Sequence, residues 1–126
     1  VTDAAQRRRA ERRGRWAEAL CIARLRLTGW RILSLRLTGP RGTGLGEIDI
    51  IARRGKVLAF IEVKARATRD AGLLAVTVQQ QQRIVRAATN FLARRADLGA
   101  CDTRFDVMIV GPGWIPYHLA DAWRPS

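Results

Sequence analysis

Apolar positions recur along the chain with two different periods. Between residues 3 and 28, Trp16, Leu20, Ala23 and Leu27 fall four, three and four apart, which places them on one helical face, and Gly29 supplies the stop. Residues 31–37 are rich in branched side chains and alternate imperfectly, as a strand does. Residues 38–44, with Gly39, Pro40, Gly42 and Gly44, form a loop. Residues 46–52 and 57–64 are apolar runs flanking Arg53-Arg-Gly-Lys56, where Gly55 can supply the tight turn of a hairpin. Residues 65–76 show no period and read as a functional loop. Residues 77–96 read as a second helix, with Ile84, Ala87, Ala88 and Phe91 near one face. Residues 104–110 form a last strong strand, broken by Gly111-Pro112-Gly113, and the tail is expected to add a short strand and bury its tryptophans. The order helix, three strands, helix, one or two strands implies an α/β fold with a mixed central sheet of four to five strands flanked by helices.

A chain of 126 residues suits a single domain spanning 1–126, of which 1–13 form a basic, partly frayed extension. The formal net charge is +12, yet hydrophobic residues make up 48%, far too many for a disordered basic tail. Folding and charge must therefore be explained together, and a polyanion, nucleic acid above all, is the expected partner. Only Lys56 and Lys64 are lysines; the other cations are arginines, whose planar fork suits phosphate oxygens. A solvated basic surface is the plainer alternative. No stretch is long and apolar enough for a bilayer, and no apolar leader opens the sequence, so a soluble protein of the cytoplasm, with no membrane association, is expected. Cys21 and Cys101 lack the spacing of a zinc site.

In a strand, residues two apart share a face, so Glu47 and Asp49 point together, as do Glu62 and Lys64. If opposed residues of the hairpin have numbers summing to 109 or 111, both pairs face one side with Ile51, Leu58 and Phe60, and Ile48, Ile50, Ala59, Ile61 and Val63 take the other. A slip by one residue would set the carboxylates against the apolar set. Three acids and a lysine are thus expected to converge among apolar neighbours, where clustered carboxylates require cationic compensation. Lys64 offsets one charge. A hard divalent cation, Mg²⁺ or Mn²⁺, held by one or two carboxylates with waters and a phosphate oxygen, suits the rest. Metal-assisted phosphodiester hydrolysis is the reaction class this implies. The competing arrangement is a cross-strand ion-pair ladder, which would leave Ile51, Leu58 and Phe60 exposed beside the charges.

Gly46-Glu-Ile-Asp-Ile-Ile-Ala52 followed by Phe60-Ile-Glu-Val-Lys-Ala-Arg66 resembles the signature of the YraN family of small, poorly characterised bacterial proteins. That family is similar to the PD-(D/E)XK nucleases, with the restriction-endonuclease-like fold shared by Holliday-junction resolvases. Gly14-Arg-Trp-Ala-Glu18, the helix around Gln80 to Ala88, and Arg104-Phe-Asp-Val107 extend the likeness over most of the chain. The resemblance implies Asp49 and Glu62 as metal ligands, Lys64 as the catalytic lysine, Glu18 as an accessory acid, and Glu47 as a motif member of less defined role. Two departures stand out: residues 79–82 are all Gln where many members carry a Lys, and Ile48 replaces the Pro that precedes the Asp in the fuller motif.

Other residues carry weaker signals. Glu18 lies with Ile22 and Leu25 opposite the Trp16 stripe, so the helix reads as apolar on two sides, and Glu18 is either buried at the site or a surface acid beside Arg15 or Arg26. Arg66 and Arg69 follow the catalytic strand; together with Arg41 and Gln80 they are candidates for nucleic-acid contact. Asp106, inside an apolar strand, is expected to pair with an Arg. His118, with no carboxylate beside it in sequence, reads as structural. The functional expectation is a Mg-dependent endonuclease acting on DNA, branched DNA in repair or recombination being one substrate class. The alternative is a non-catalytic nucleic-acid-binding or assembly module that retains the fold. Junction resolution would need two sites and hence a homodimer, which Trp114 or Trp123 could support.

Overall fold

The computed structural model of the protein describes residues 3–38, 47–113 and 115–125, and their side chains except at residues 10, 11, 13, 38 and 47. Helix α1 (Asp3–Leu27) leads into strand β1 (Arg31–Thr38), then β2 (Glu47–Arg54) and β3 (Val57–Ala65). A short helix α2 (Arg69–Leu74) and the longer α3 (Val78–Ala93) follow, then a 3-10 turn at Ala96–Leu98, strand β4 (Asp102–Val110) and strand β5 (Tyr117–Leu119). The five strands form one sheet in sequence order. Strands β1, β2 and β3 are successively antiparallel, β3 and β4 are parallel, and β5 closes antiparallel to β4. A parallel neighbour cannot be reached by a hairpin, and α2 with α3 supplies the crossover. This is the α/β fold expected from the sequence, with a mixed sheet flanked by helices, and it is consistent with a restriction-endonuclease-like architecture.

Each sheet face has its own core. On one, Ala17, Cys21 and Leu25 of α1, four apart, pack with Trp30 on Ile50, Ala52, Ala59, Ile61, Met108 and Val110. On the other, Ile84, Ala87 and Ala88 of α3 pack on Ile48, Ile51, Leu58, Phe60 and Phe105. Each fully buried large aliphatic side chain contributes about 1.5–3 kcal/mol, so these two layers hold α1 and α3 to the sheet.

Several elements differ from their sequence reading. The stripe of α1 is displaced: Trp16 and Leu27 are exposed, the latter 83%, and the buried positions are Ala17, Cys21 and Leu25, so the helix has one buried face rather than two. Small Ala17 and Cys21 let the helix approach the sheet, with Leu25 buried at its end and Trp16 and Leu27 left outside. Residues 65–76 contain α2, where the Thr68 hydroxyl accepts a hydrogen bond from the Ala71 N–H as an N-cap. The second helix stops at Ala93 rather than 96, and a separate 3-10 turn follows. Its N-cap, Thr77, accepts from the Gln80 N–H. The expected short strand in the tail is β5, and Trp123 stacks on Phe105 with ring centroids 4.4 Å apart. Trp114 lies outside the described residues.

Candidate active site

Strands β2 and β3 pair with numbers summing to 111, from Arg54↔Val57 to Ile50↔Ile61. The expected hairpin register is therefore present, with Gly55 at φ 61 in the turn. Beyond Ile50 the pairing ceases. There the Asp49 carboxylate Oδ2 accepts the Val63 N–H at 2.8 Å, a side chain taking the donor that a continued ladder would have given to Ile48. Ile48 packs with Ile51 and Phe60 on the α3 face instead of with Ile50, so alternation breaks at Asp49. This corrects the single-face reading: Ile48 was expected beside Ile50. The two strands part at Asp49, and its carboxylate lies against the backbone residue next to Glu62.

Glu62 is 94% buried, at 6% exposure, and its Oε2 accepts a 2.8 Å hydrogen bond from the Gln80 amide Nε2 on α3. Gln80, a candidate for nucleic-acid contact, thus orients an acid of the site. Lys64 is half-buried two residues along β3, on the Glu62 side by strand alternation. Glu18, on α1, is buried at 7% exposure and accepts the Arg36 Nε–H at 3.0 Å. This contact reaches across to Arg36 of β1. Arg36 itself has φ 53, a left-handed conformation rare for a non-glycine residue in a strand and a mark of local backbone strain. Cys21 of α1 feels two of these acids: burial pushes its thiol up to about 12, with Asp49 and then Glu18 adding electrostatic repulsion of the thiolate. Glu18 and Asp49 therefore share one neighbourhood on the α1 side, and Glu62 and Lys64 approach from the α3 side.

The remaining candidates are placed as follows. Glu47 opens β2, with its side chain outside the described residues, and Arg41 lies outside them altogether. Arg66 is exposed and donates to the Ala65 carbonyl, whereas Arg69 lies over the Tyr117 ring at 3.8 Å. Among the described residues no group of three or more His, Cys, Asp or Glu side chains is gathered to hold a metal. Of the three acids expected to converge, Glu47 has its side chain outside the described residues, and the Asp49 carboxylate is turned toward the Val63 N–H.

Sequence reasoning missed Arg36, whose one signal is a lone charge between Leu35 and Leu37 in an apolar strand. It also missed the carboxylate beside His118, the histidine read as structural. The ring Nε2 lies 2.6 Å from Asp106 Oδ2, while Arg104 holds both Asp106 oxygens at 2.9 Å and the Asp121 N–H donates to Oδ1. Asp106 pairs with an Arg as expected, but His118 has a carboxylate beside it that only the β4–β5 pairing brings near. Burial alone would raise the Asp106 carboxyl; hydrogen bonds from His118, Arg104 and the Asp121 N–H hold it below the ordinary carboxylate range.

Comparison with known proteins places these residues in a family. The model of the uncharacterised protein family UPF0102 matches residues 17–110. A UPF0102 protein of Paramagnetospirillum magneticum is 51% identical over 115 residues, covering 91% of this chain and 89% of its own. UPF0102 proteins of Maricaulis maris and Parvibaculum lavamentivorans are 48% and 47% identical, covering 95% and 92% of this chain and 91% and 84% of theirs. Among the described residues no helix is long and apolar enough to cross a membrane.

Proposed function

The chain belongs to the uncharacterised protein family UPF0102, and from the site it carries we propose a metal-dependent endonuclease that hydrolyses phosphodiester bonds in DNA, acting in the cytoplasm. The observation that carries this reading is the parting of β2 and β3 at Asp49, which sets a fixed carboxylate against the strand bearing Glu62 and Lys64. A ladder uninterrupted there would give a structural sheet.

The donor set fits a hard divalent cation. Asp49 is fixed through one oxygen by the Val63 N–H and Glu62 through one oxygen by Gln80, so both carboxylates are oriented. Two oriented carboxylates, with water and phosphate oxygens completing the shell, are what Mg²⁺ or Mn²⁺ takes. Such an ion would supply Lewis-acid polarisation of the scissile phosphate and a nucleophilic hydroxide near neutral pH. The chain's own residues do the remainder. The Lys64 ammonium steadies charge developing on the phosphate, Gln80 keeps Glu62 in place, and the Glu18–Arg36 pair sets an acid and a cation at the margin. Arg66 and the arginine-rich surface attract the backbone of the substrate.

A second reading is a nucleic-acid-binding or assembly module without turnover, in which Glu62 serves only as the partner of the Gln80 amide. Cleavage assays on linear, single-stranded, flapped and four-way-junction DNA with Mg²⁺, Mn²⁺ or EDTA separate the two. Metal-dependent cleavage is expected for the nuclease; binding without cleavage on any substrate selects the module. Cleavage confined to the junction would imply a homodimer bringing two sites together.

A further inference from the structure

At the hairpin end of the sheet, away from Asp49, Arg31 of β1 and Arg53 of β2 are cross-strand partners. Like charges directly opposed in an antiparallel pair destabilise it. Arg54, the next residue along β2, lines one cavity of about 240 Å³ together with Arg31, Arg53, Gly29 and Gly55. None of these arginines makes a salt bridge among the described residues; Arg53 acts electrostatically on Asp97, which is itself paired with Arg95 at 2.9 Å. Two of the guanidiniums are held from below. Arg53 Nε donates to the Gly55 carbonyl at 2.9 Å, and Arg54 donates through one terminal nitrogen to the Thr28 carbonyl at 3.0 Å while lying over the Trp30 ring at 4.6 Å. Each uses few of its five N–H donors in these bonds, and Arg31 stays exposed. Gly29 and Gly55 complete the cavity lining.

Arg53 and Arg54, each anchored through one N–H, and the exposed Arg31 line one hollow with N–H donors to spare, and a phosphate bound there would accept from them and relieve the Arg31–Arg53 repulsion. We propose that this cavity is a second phosphate-binding site, which anchors a nucleic-acid backbone at a distance from the acids. Arg53 lies four residues from Asp49 along β2, about 13 Å at the rise of a strand, so one extended nucleic-acid segment spans both. The site rests on the arginine geometry and not on turnover.

The test is binding in EDTA, where cleavage plays no part. Inorganic phosphate is titrated against the backbone amide resonances of residues 53–56, in the wild type and in Arg31→Gln/Arg53→Gln. Saturable shifts in the wild type, lost in a folded double variant, are expected; no saturable shift, or the same shift in the variant, overturns the site. The source of the phosphate is read from the affinity for duplex DNA against salt. Losing two phosphate contacts should lower the slope of log K on log salt by about 1.8, whereas Arg94→Gln/Arg124→Gln, with the same change in charge, should leave it near the wild-type value. Equal losses in the two double variants would reduce the effect to general charge and overturn the anchoring role. Phosphate saturation with an unchanged DNA slope would overturn the nucleic-acid assignment and give the cavity to a small phosphate compound.

Discussion

Asp49 and Val63 meet at the point where β2 and β3 separate, with the carboxylate Oδ2 2.8 Å from the backbone nitrogen. The bond does two things: it satisfies a partly buried N–H that the ladder has abandoned, and it fixes the acid proposed as a ligand. Asp49→Ala should leave that donor unmet and lower stability by about 1–3 kcal/mol. Asp49→Asn keeps an oxygen acceptor and should unfold close to the wild-type urea midpoint.

Gln80 holds Glu62 from the opposite layer. Its replacement by Leu removes the amide but keeps an unbranched Cβ and a similar bulk on α3. In metal sites, loss of an outer residue that orients a ligand typically costs about 10–100-fold in affinity or activity. Gln80→Leu should show a loss of that order in Mn²⁺ affinity by titration calorimetry, with the circular dichroism spectrum unchanged.

Asp106 is the most deeply buried charge, at 0% exposure, with His118, Arg104 and the Asp121 N–H around it. Asp106→Ala should destabilise by about 1–3 kcal/mol, because it leaves partly buried donors of Arg104, His118 and the Asp121 N–H unmet. The pH dependence follows from the lowered folded-state value. The contribution is present in full above the unfolded carboxyl value, about 3.9, and is lost as pH falls through the still lower folded value. Denaturant midpoints should therefore fall with acid in the wild type, and Asp106→Asn should remove that part of the slope.

Cys21 is fully buried and its thiol is pushed up to about 12 by burial, then by Asp49 and Glu18. Alkylation requires thiolate and access. At pH 8, iodoacetamide should leave Cys21 unmodified in the folded protein and modify it after denaturation, as read by peptide mass spectrometry. Labelling of folded Cys21 at the unfolded rate would contradict its placement under α1.

The hairpin was legible because Gly55 and two apolar runs place the turn, and the apolar set then selects an odd register sum, 109 or 111, of which the structure has 111. Face alternation was not, because it holds only while the ladder continues, and the Asp49–Val63 bond that ends it joins side chain to backbone and leaves no trace in spacing. In α1 the spacing of large residues pointed to Trp16 and Leu27, whereas close helix–sheet approach selected Ala17 and Cys21. His118 and Asp106 lie twelve residues apart and meet only through β5 pairing with β4. The acids Asp49 and Glu62 could be named from the motif; Arg36 and the role of Gln80 required the fold.

The central claim is chemical, and one comparison tests it most directly: the Mn²⁺-dependent cleavage rate of a labelled four-way junction by wild type and Asp49→Asn, with DNA affinity measured alongside in EDTA. The account predicts cleavage by the wild type, a fall of about a thousandfold or more in the variant, equivalent to roughly 4 kcal/mol of transition-state stabilisation, and unchanged affinity. Equal cleavage by the two proteins would contradict it.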